Sequence, residues 1–357
     1  MLKDDIIAGY KILNDFEVAG GMSKIAFAEK DGETYFIKEF LYPKYPRPDS
    51  PGSERVKEQK RRNCDEFENH HKALNQKIGE CCSGTGGNLI YAIDFFRYGT
   101  CYYKVTAKID ILPFPCEKIA ALPIERILLI AKSAVHSIRI LHNNKIVHGD
   151  LKPDNMPIQE VPMGYVVKLI DFDDSYFEGR PPADRETLVG TPEYYSPEQA
   201  EYILDEDDET DGSILTCKSD IFTLGIILTE FFTGKKPILP SKYKSTWECV
   251  NDGGSISFCK KMNADLEKLI RKMLSKKPSD RPTIGVVFET LKNFKAGTTT
   301  SGPTTPPTTI EDAPKPKLRG AGTKIATKTS EPSTETPTTK SMGGSLLKGR
   351  GLDIAKK

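Results

Sequence analysis

The sequence predicts an α+β protein, and three observations carry that prediction. The first hundred residues read as short alternating strands broken by turns. After Pro123 the apolar residues switch to three- and four-residue spacing, the signature of helices with one buried face. Strands gathered in one half and helices in the other belong to an α+β arrangement. The third observation is a change of composition at about residue 296, where large apolar residues give way to Thr, Pro and Ser. The chain has 357 residues, enough for one large or two ordinary domains, and 38% of them are hydrophobic, a share low enough to leave part of it unfolded.

The elements follow in order. Lys24 to Glu29 alternates in part, Asp31-Gly32 marks a turn, and Thr34 to Phe40 is strand-like. A Pro-rich loop, Pro43 to Pro51, leads into a charged helical pattern from about Glu54 to Ile78. Asn88 to Phe96 and Thr100 to Ile109 read as two more strands. Ile124, Ile127, Leu128, Ala131, Ala134, Val135, Ile138 and Leu141 form one face of a long helix, with Pro123 suited to its first turn. Asp220 to Thr233 is apolar nearly all round, as a helix at the centre of a domain would be, and Gly234 is placed to end it. The acidic run from Asp205 to Asp211 reads as a solvated loop. From 296 to 357, ten Lys/Arg against five Asp/Glu give +5, leaving −4 for the remainder of a chain whose net charge is +1. Such a Thr/Pro/Ser-rich segment cannot bury enough surface to offset its conformational entropy and is expected to be disordered.

Bulk properties exclude several classes. A net charge of +1 gives no field that would favour nucleic acid. No apolar run has the length of a membrane span, and the residues after Met1 do not resemble a secretory signal. The eight cysteines show no CxxC spacing and read as reduced thiols of a cytoplasmic protein rather than metal ligands or disulfides.

The chemistry is concentrated in His148-Gly149-Asp150-Leu151-Lys152-Pro153-Asp154-Asn155 and in Ile170-Asp171-Phe172-Asp173. Two carboxylates and an amide at this spacing suit phosphoryl transfer: one carboxylate orients a hydroxyl, the amide and the other carboxylate hold metal against phosphates, and a lysine neutralises developing charge. Downstream come Gly190 to Glu198 (GTPEYYSPE), Ser219 to Gly225 (SDIFTLG) and Asp280-Arg281-Pro282-Thr283. In this order the motifs resemble those of eukaryotic-type serine/threonine protein kinases, including the eukaryotic-like kinases of bacteria. The resemblance covers roughly residues 10 to 295.

It implies a bilobal protein-kinase-like fold over residues 1–295: an antiparallel-sheet N-lobe over about 10–109, a mainly helical C-lobe over about 110–295, and then the tail. It implies ATP and Mg²⁺ as cofactors, protein serine or threonine hydroxyls as acceptors, and self-phosphorylation of the threonine-rich tail. Residue by residue, Asp150 and Lys152 take the catalytic places, and Asn155 and Asp171 the metal places. Ala19 to Ile25 resembles the phosphate-covering loop, placing Gly20, Gly21, Ser23 and Ile25 at the nucleotide, with Val18 standing where the first glycine is usual. Lys38 matches the lysine that meets the phosphates. For its helix partner, composition favours Glu68 and spacing to Ala73-Leu74 favours His70; Glu68 is chosen because a carboxylate serves a cation better. Thr106 takes the gatekeeper place, with the backbone of Ala107 and Ile109 at adenine. Glu198 is expected to pair with Arg281, and Asp220 to hold the catalytic-loop backbone. Besides Val18 and Ser23 in the glycine loop and Ser196 in SPE, three residues depart from the family: Phe36 for alanine, Gly149 for arginine, and Asp173 for the glycine of D-F-G. The loop between Asp173 and Gly190 offers Ser175, Tyr176 and Thr187 as phosphate acceptors, and Arg180 and Arg185 as substitutes for the missing arginine. The departures leave a second reading open, a scaffold of the same fold that binds a partner without efficient phosphoryl transfer.

Overall fold

The computed structural model describes residues 2–18, 23–82, 87–109, 114–162, 164–182, 184–205, 207 and 209–294. Gly20, Gly21 and the tail from 296 to 357 lie outside the described residues. Met1–Thr298 form one compact unit, described here.

Seven strands make one sheet among the described residues: β1 (Ile6–Ile7), β2 (Tyr10–Ile12), β3 (Glu17–Val18), β4 (Ser23–Lys30), β5 (Glu33–Phe40), β6 (Ala92–Tyr98) and β7 (Cys101–Ala107). The order is β1-β2-β4-β5-β7-β6, with β3 on β4, and the recorded pairings are all antiparallel. The β4–β5 turn is Asp31-Gly32 with φ of 54° and 80°; two left-handed residues give the tight hairpin whose twist matches its strands. Ile7, Ile12, Ala26, Ala28, Ile37, Tyr103 and Val105 form a small core along the sheet. The short strands β1 to β3 carry too few residues for alternation to announce them.

The long helix α1 (Glu54–Cys82) is polar over most of its surface. Its buried residues Cys64, His71, Leu74 and Ile78 follow seven-, three- and four-residue steps, one thin stripe. Phe40, Cys64, Phe95 and Tyr102 join this stripe to the sheet.

Beyond β7 the chain is mainly helical: α2 (Cys116–Ala120), α3 (Ile124–Asn143), α4 (Pro197–Ile203), α5 (Cys217–Thr233), α6 (Thr246–Asn251), α7 (Ala264–Met273) and α8 (Ile284–Asn293). The apolar face expected of α3 is buried against α5 and α8 in the main core, and Pro123 precedes its first residue. In α5 every residue from Ser219 to Thr233 is buried. Gly234 caps it at φ 82°, its N–H bonded to the Glu230 carbonyl. Two small ribbons lie among the helices: β8 (Ile146–Val147) with β11 (Tyr176–Phe177), and β9 (Ile158–Val161) with β10 (Gly164–Val167).

Candidate functional site

Where the sheet meets the helical half, two loops bring the acidic motifs together. The first follows β8. Asp220, at the start of α5, accepts from the backbone N–H of His148 (2.8 Å) and Gly149 (3.2 Å) and from His142 Nε2 (2.8 Å). A buried carboxylate with three donors fixes the loop it holds. Gln199 Nε2 adds a 2.6 Å bond to the Gly149 carbonyl.

Asp150 lies on the loop so held, among Lys152, Asn155 and Thr191. Its Oδ2 accepts from Lys152 Nζ at 2.6 Å, and its Oδ1 from the Thr191 hydroxyl at 2.7 Å. Lys152 also reaches Thr191 Oγ1 at 2.9 Å. Asn155 Nδ2 donates to the Asp150 carbonyl (2.8 Å) and to Oδ2 (3.2 Å), which makes Oδ1 the end of the amide suited to a cation.

Gly149 has a local reason. Its φ is +82°, and a Cβ there would lie 2.1 Å from the carbonyl oxygen of Asp174. No L-residue enters without moving the next loop. That loop is anchored around it: the Ser175 hydroxyl donates to the His148 carbonyl (2.9 Å), and Asp174 Oδ1 accepts from Val189 N (2.9 Å) and Gly190 N (3.3 Å). Burial first, then the charges of Asp150, Asp173 and Asp171, push the Asp174 carboxyl up to about 7. Of the three acceptors expected in this loop, Ser175 and Tyr176 are fully buried, and Thr187 is half-buried with its hydroxyl on the Asp184 carbonyl. Arg185 bonds the carbonyls of Tyr202 (2.8 Å) and Thr210 (2.6 Å), which ties the loop to the acidic segment.

On the sheet side, Ile25, Lys38, Thr106, Ala107, Ile109 and Asp171 line one cavity of about 340 Å³, within the range of small-molecule sites. These expected residues are thus brought together. Phe36 and Phe27 line the same cavity, edge to face with centroids 6.1 Å apart. Ser23 is buried at the start of β4, opposite Phe40.

The partners of Lys38 differ from the expectation. Its ammonium lies 2.9 and 3.0 Å from the two oxygens of Asp171 and 2.7 Å from Asp173 Oδ2. Glu68 does not face it; Glu68 bonds Lys72 at 2.6 Å, one turn along the surface of α1. His70, on the other flank of the buried stripe of α1, has Nε2 2.9 Å from the Ser175 carbonyl oxygen. His71 is buried among Phe40, Phe67 and Phe95; burial, then His70, Lys104 and Lys38, hold its imidazole well below the usual histidine range and therefore neutral.

Lys104, which the sequence reading did not single out, completes the group. It sits opposite Lys38 in the β5–β7 register, bonds Asp171 Oδ1 at 3.1 Å, and is hydrogen-bonded to Asp173. A signal existed: a lysine inside the apolar run Tyr102-Tyr103-Lys104-Val105 requires a buried counter-charge. Burial pulls the Lys38 ammonium toward neutrality, but Asp173 and Asp171 more than offset this and hold it charged. Burial likewise pushes Asp171 up, and Lys104 and Lys38 hold it well below the carboxylate range. The donors suit Mg²⁺, which takes one or two protein oxygens and completes its shell with phosphate and water: Asp171 would offer a carboxylate and Asn155 an amide oxygen.

The remaining C-lobe expectation holds in full. Arg281 makes a bidentate pair with Glu198 at 2.6 and 2.8 Å, deep in the core.

Comparison with known proteins gives the family. Residues 59–292 match the protein kinase domain family. The match begins inside α1, so Lys38 and the strands before it lie outside it. A serine/threonine-protein kinase of Synechocystis is 29% identical over 194 residues, 50% of this chain and 35% of that protein. A putative serine/threonine-protein kinase of Acanthamoeba polyphaga mimivirus is 34% identical over 164 residues, 45% of this chain and 54% of that protein. A serine/threonine-protein kinase of Corynebacterium efficiens is 33% identical over 122 residues, 34% of this chain and 21% of that protein. The chain thus spans about half the length, or less, of these relatives.

Proposed function

This chain belongs to the protein kinase family, and from that premise we propose that it transfers the γ-phosphate of ATP to serine or threonine hydroxyls of proteins. The observation that carries the reading is Asp150, held by Lys152, Asn155 and Thr191 at hydrogen-bond distance, with the Asn155 carbonyl accepting from the N–H of Ile170, which lines the Lys38 cavity with Asp171. ATP would lie in that cavity, with its base toward Ala107 and Ile109. Mg²⁺ held by Asp171 and Asn155 supplies neutralisation of phosphate charge when bound.

The chain's own groups do the rest. Asp150 accepts a hydrogen bond from the incoming hydroxyl and aims its oxygen at phosphorus. Lys152, already beside Asp150, places a positive charge where negative charge builds on the phosphoryl oxygens. Lys38 holds the other phosphates. Thr191, bonded to both Asp150 and Lys152, links this centre to the GTPEYYSPE segment, which belongs with a protein rather than a small-molecule acceptor. Self-phosphorylation of threonines between Thr298 and Thr339 is part of the proposal; it rests on their number and on the lysines among them. A cytoplasmic location is also part of it, supported by eight cysteines without CxxC spacing.

The rival reading, a scaffold without transfer, has one observation in its favour: Phe36 and Phe27 narrow the cavity where a small residue is usual. The deciding experiment incubates the purified chain with labelled ATP, Mg²⁺ and a generic protein substrate, beside Asp150→Asn. Transfer by wild type and a loss of at least about a hundredfold in the variant, several kcal/mol of barrier, are expected. Equal incorporation by both proteins would remove Asp150 from its role, and none by either would favour the scaffold.

A further inference from the structure

Lys38 and Lys104 are direct cross-strand neighbours, register partners on β5 and β7. Opposed side chains of a strand pair stand about 5 Å apart at Cβ, and like charges there repel. Both lysines are also buried. Such an arrangement survives only with matching negative charge. It is supplied by one tripeptide. Asp171 meets both ammonium groups, and so does Asp173. Two cations and two anions close to neutrality.

The helix contributes no charge to this group. Glu68 is committed to Lys72, His70 to the Ser175 carbonyl, and His71 is neutral among aromatic rings. From this we infer that Asp173, and not a carboxylate of α1, is the group that positions Lys38 for phosphate, with Lys104 as the counter-cation that allows a second carboxylate to stand beside Asp171. The inference rests on the proposed kinase reading for its catalytic consequence, but the charge pairing stands on geometry alone.

The pairing has a mechanical result. A carboxylate on a helix makes the lysine's position follow that helix. A carboxylate two residues from Asp171 makes it follow the loop that also carries the metal ligand. Lysine placement and metal placement then become one event. The loop is itself held to the catalytic loop by Ser175 on the His148 carbonyl and by the close approach of Asp174 to Gly149. Lys104 and Asp173 therefore belong together: neither residue is tolerable in this cleft without the other.

Two measurements on the full chain test this. The first is a thermal double-mutant cycle with Asp173→Asn, Lys104→Met and both together. Each single change leaves unbalanced buried charge and lowers the melting temperature. The double variant keeps Lys38 with Asp171 and melts closer to wild type than the two losses added together. Additive losses would overturn the pairing. The second is steady-state kinetics with a protein substrate. Asp173→Asn is expected to lower kcat at least tenfold with KM for ATP within threefold, Asp173→Glu to recover part of it, and Glu68→Gln to leave kcat within threefold. Wild-type kcat in Asp173→Asn, or an equal loss in Glu68→Gln, would overturn the positioning role. Coupled melting in a chain that shows no transfer at all would support the pairing and remove the kinase reading instead.

Discussion

Two buried charge clusters in this molecule are built on opposite principles. In the helical half, Arg281 spends every donor it has: Nη1 on Glu198 and the Lys218 carbonyl, Nη2 on Glu198 and the Lys276 carbonyl, Nε on the Ser275 carbonyl. Ser219 adds a donor to Glu198. Its two side chains are 0% and 6% exposed. In the cleft, two lysines face two aspartates, and the side chain of Asp171 is 34% exposed. A planar guanidinium with filled donors has one arrangement, whereas an ammonium on a flexible stem can turn from carboxylate to phosphate when a ligand arrives. The sealed pair is architecture; the open cluster is where charge can be redistributed.

The contrast is broken most severely at the sealed pair. Arg281→Met leaves Glu198 buried without its partner and should lower stability by about 3–5 kcal/mol, read as a shift in urea midpoint at constant slope. A loss below about 1 kcal/mol would show that the pair is as adaptable as the cleft cluster.

Next comes the loop that joins the two regions. Gly149→Arg restores the residue usual in the family, yet the backbone there has φ +82° and the Asp174 carbonyl oxygen stands where Cβ must go. We expect destabilisation of about 3 kcal/mol, left-handed strain plus displacement of the loop, with activity reduced rather than raised. A gain in activity would mean the glycine is a loss and not a fit. The same packing buries Ser175 and Tyr176 in place, and with Arg absent at 149 activity is expected not to need a loop phosphate, so Thr187→Ala, which removes the remaining acceptor, should keep activity within a few-fold.

Asp174 offers a third test, through pH. Its carboxyl is pushed up to about 7, whereas in the unfolded chain it titrates near the ordinary aspartate value of about 4. Between those values the folded state holds a proton that the unfolded state has released. Stability from this group is therefore complete below about pH 4 and is lost as pH rises through about 7. Asp174→Asn removes the titration. Its stability relative to wild type should rise by on the order of 2 kcal/mol from pH 5 to 7.5, measured by urea unfolding in metal-free buffer. A pH-independent difference would place an ordinary carboxyl there.

The smallest effect is expected on the Glu68 flank of α1. The Glu68–Lys72 pair is an i,i+4 bridge between an exposed lysine and a half-buried glutamate, so Glu68→Ala should cost no more than about 0.5 kcal/mol. A larger loss would bring the helix back into the cleft.

Periodicity and motif spacing were enough for much of this molecule. The alternation from Lys24 to Phe40, the apolar face of Ile124 to Leu141 and the buried run ending at Gly234 are local patterns, and local patterns are set by backbone geometry that each residue carries with it. The loop bearing Asp150, Lys152 and Asn155 was legible for the same reason: its groups lie within six residues of one another. The pairing of Glu198 with Arg281 was legible only through resemblance, since 83 residues separate them.

What tertiary structure decided is which way side chains face. Glu68 and His70 differ by two positions and flank the buried stripe of Cys64, His71, Leu74 and Ile78 on opposite sides, and only the packing of α1 decides that His70 meets the Ser175 carbonyl while Glu68 meets Lys72. Lys104 became part of the site because strand register set it opposite Lys38, 66 residues away in sequence. Gly149 read in sequence as the loss of a charge; in three dimensions it is the space that the Asp174 carbonyl occupies. Helix phase, register and close approach depend on what lies across the interface, and a single strand of sequence does not contain the other side.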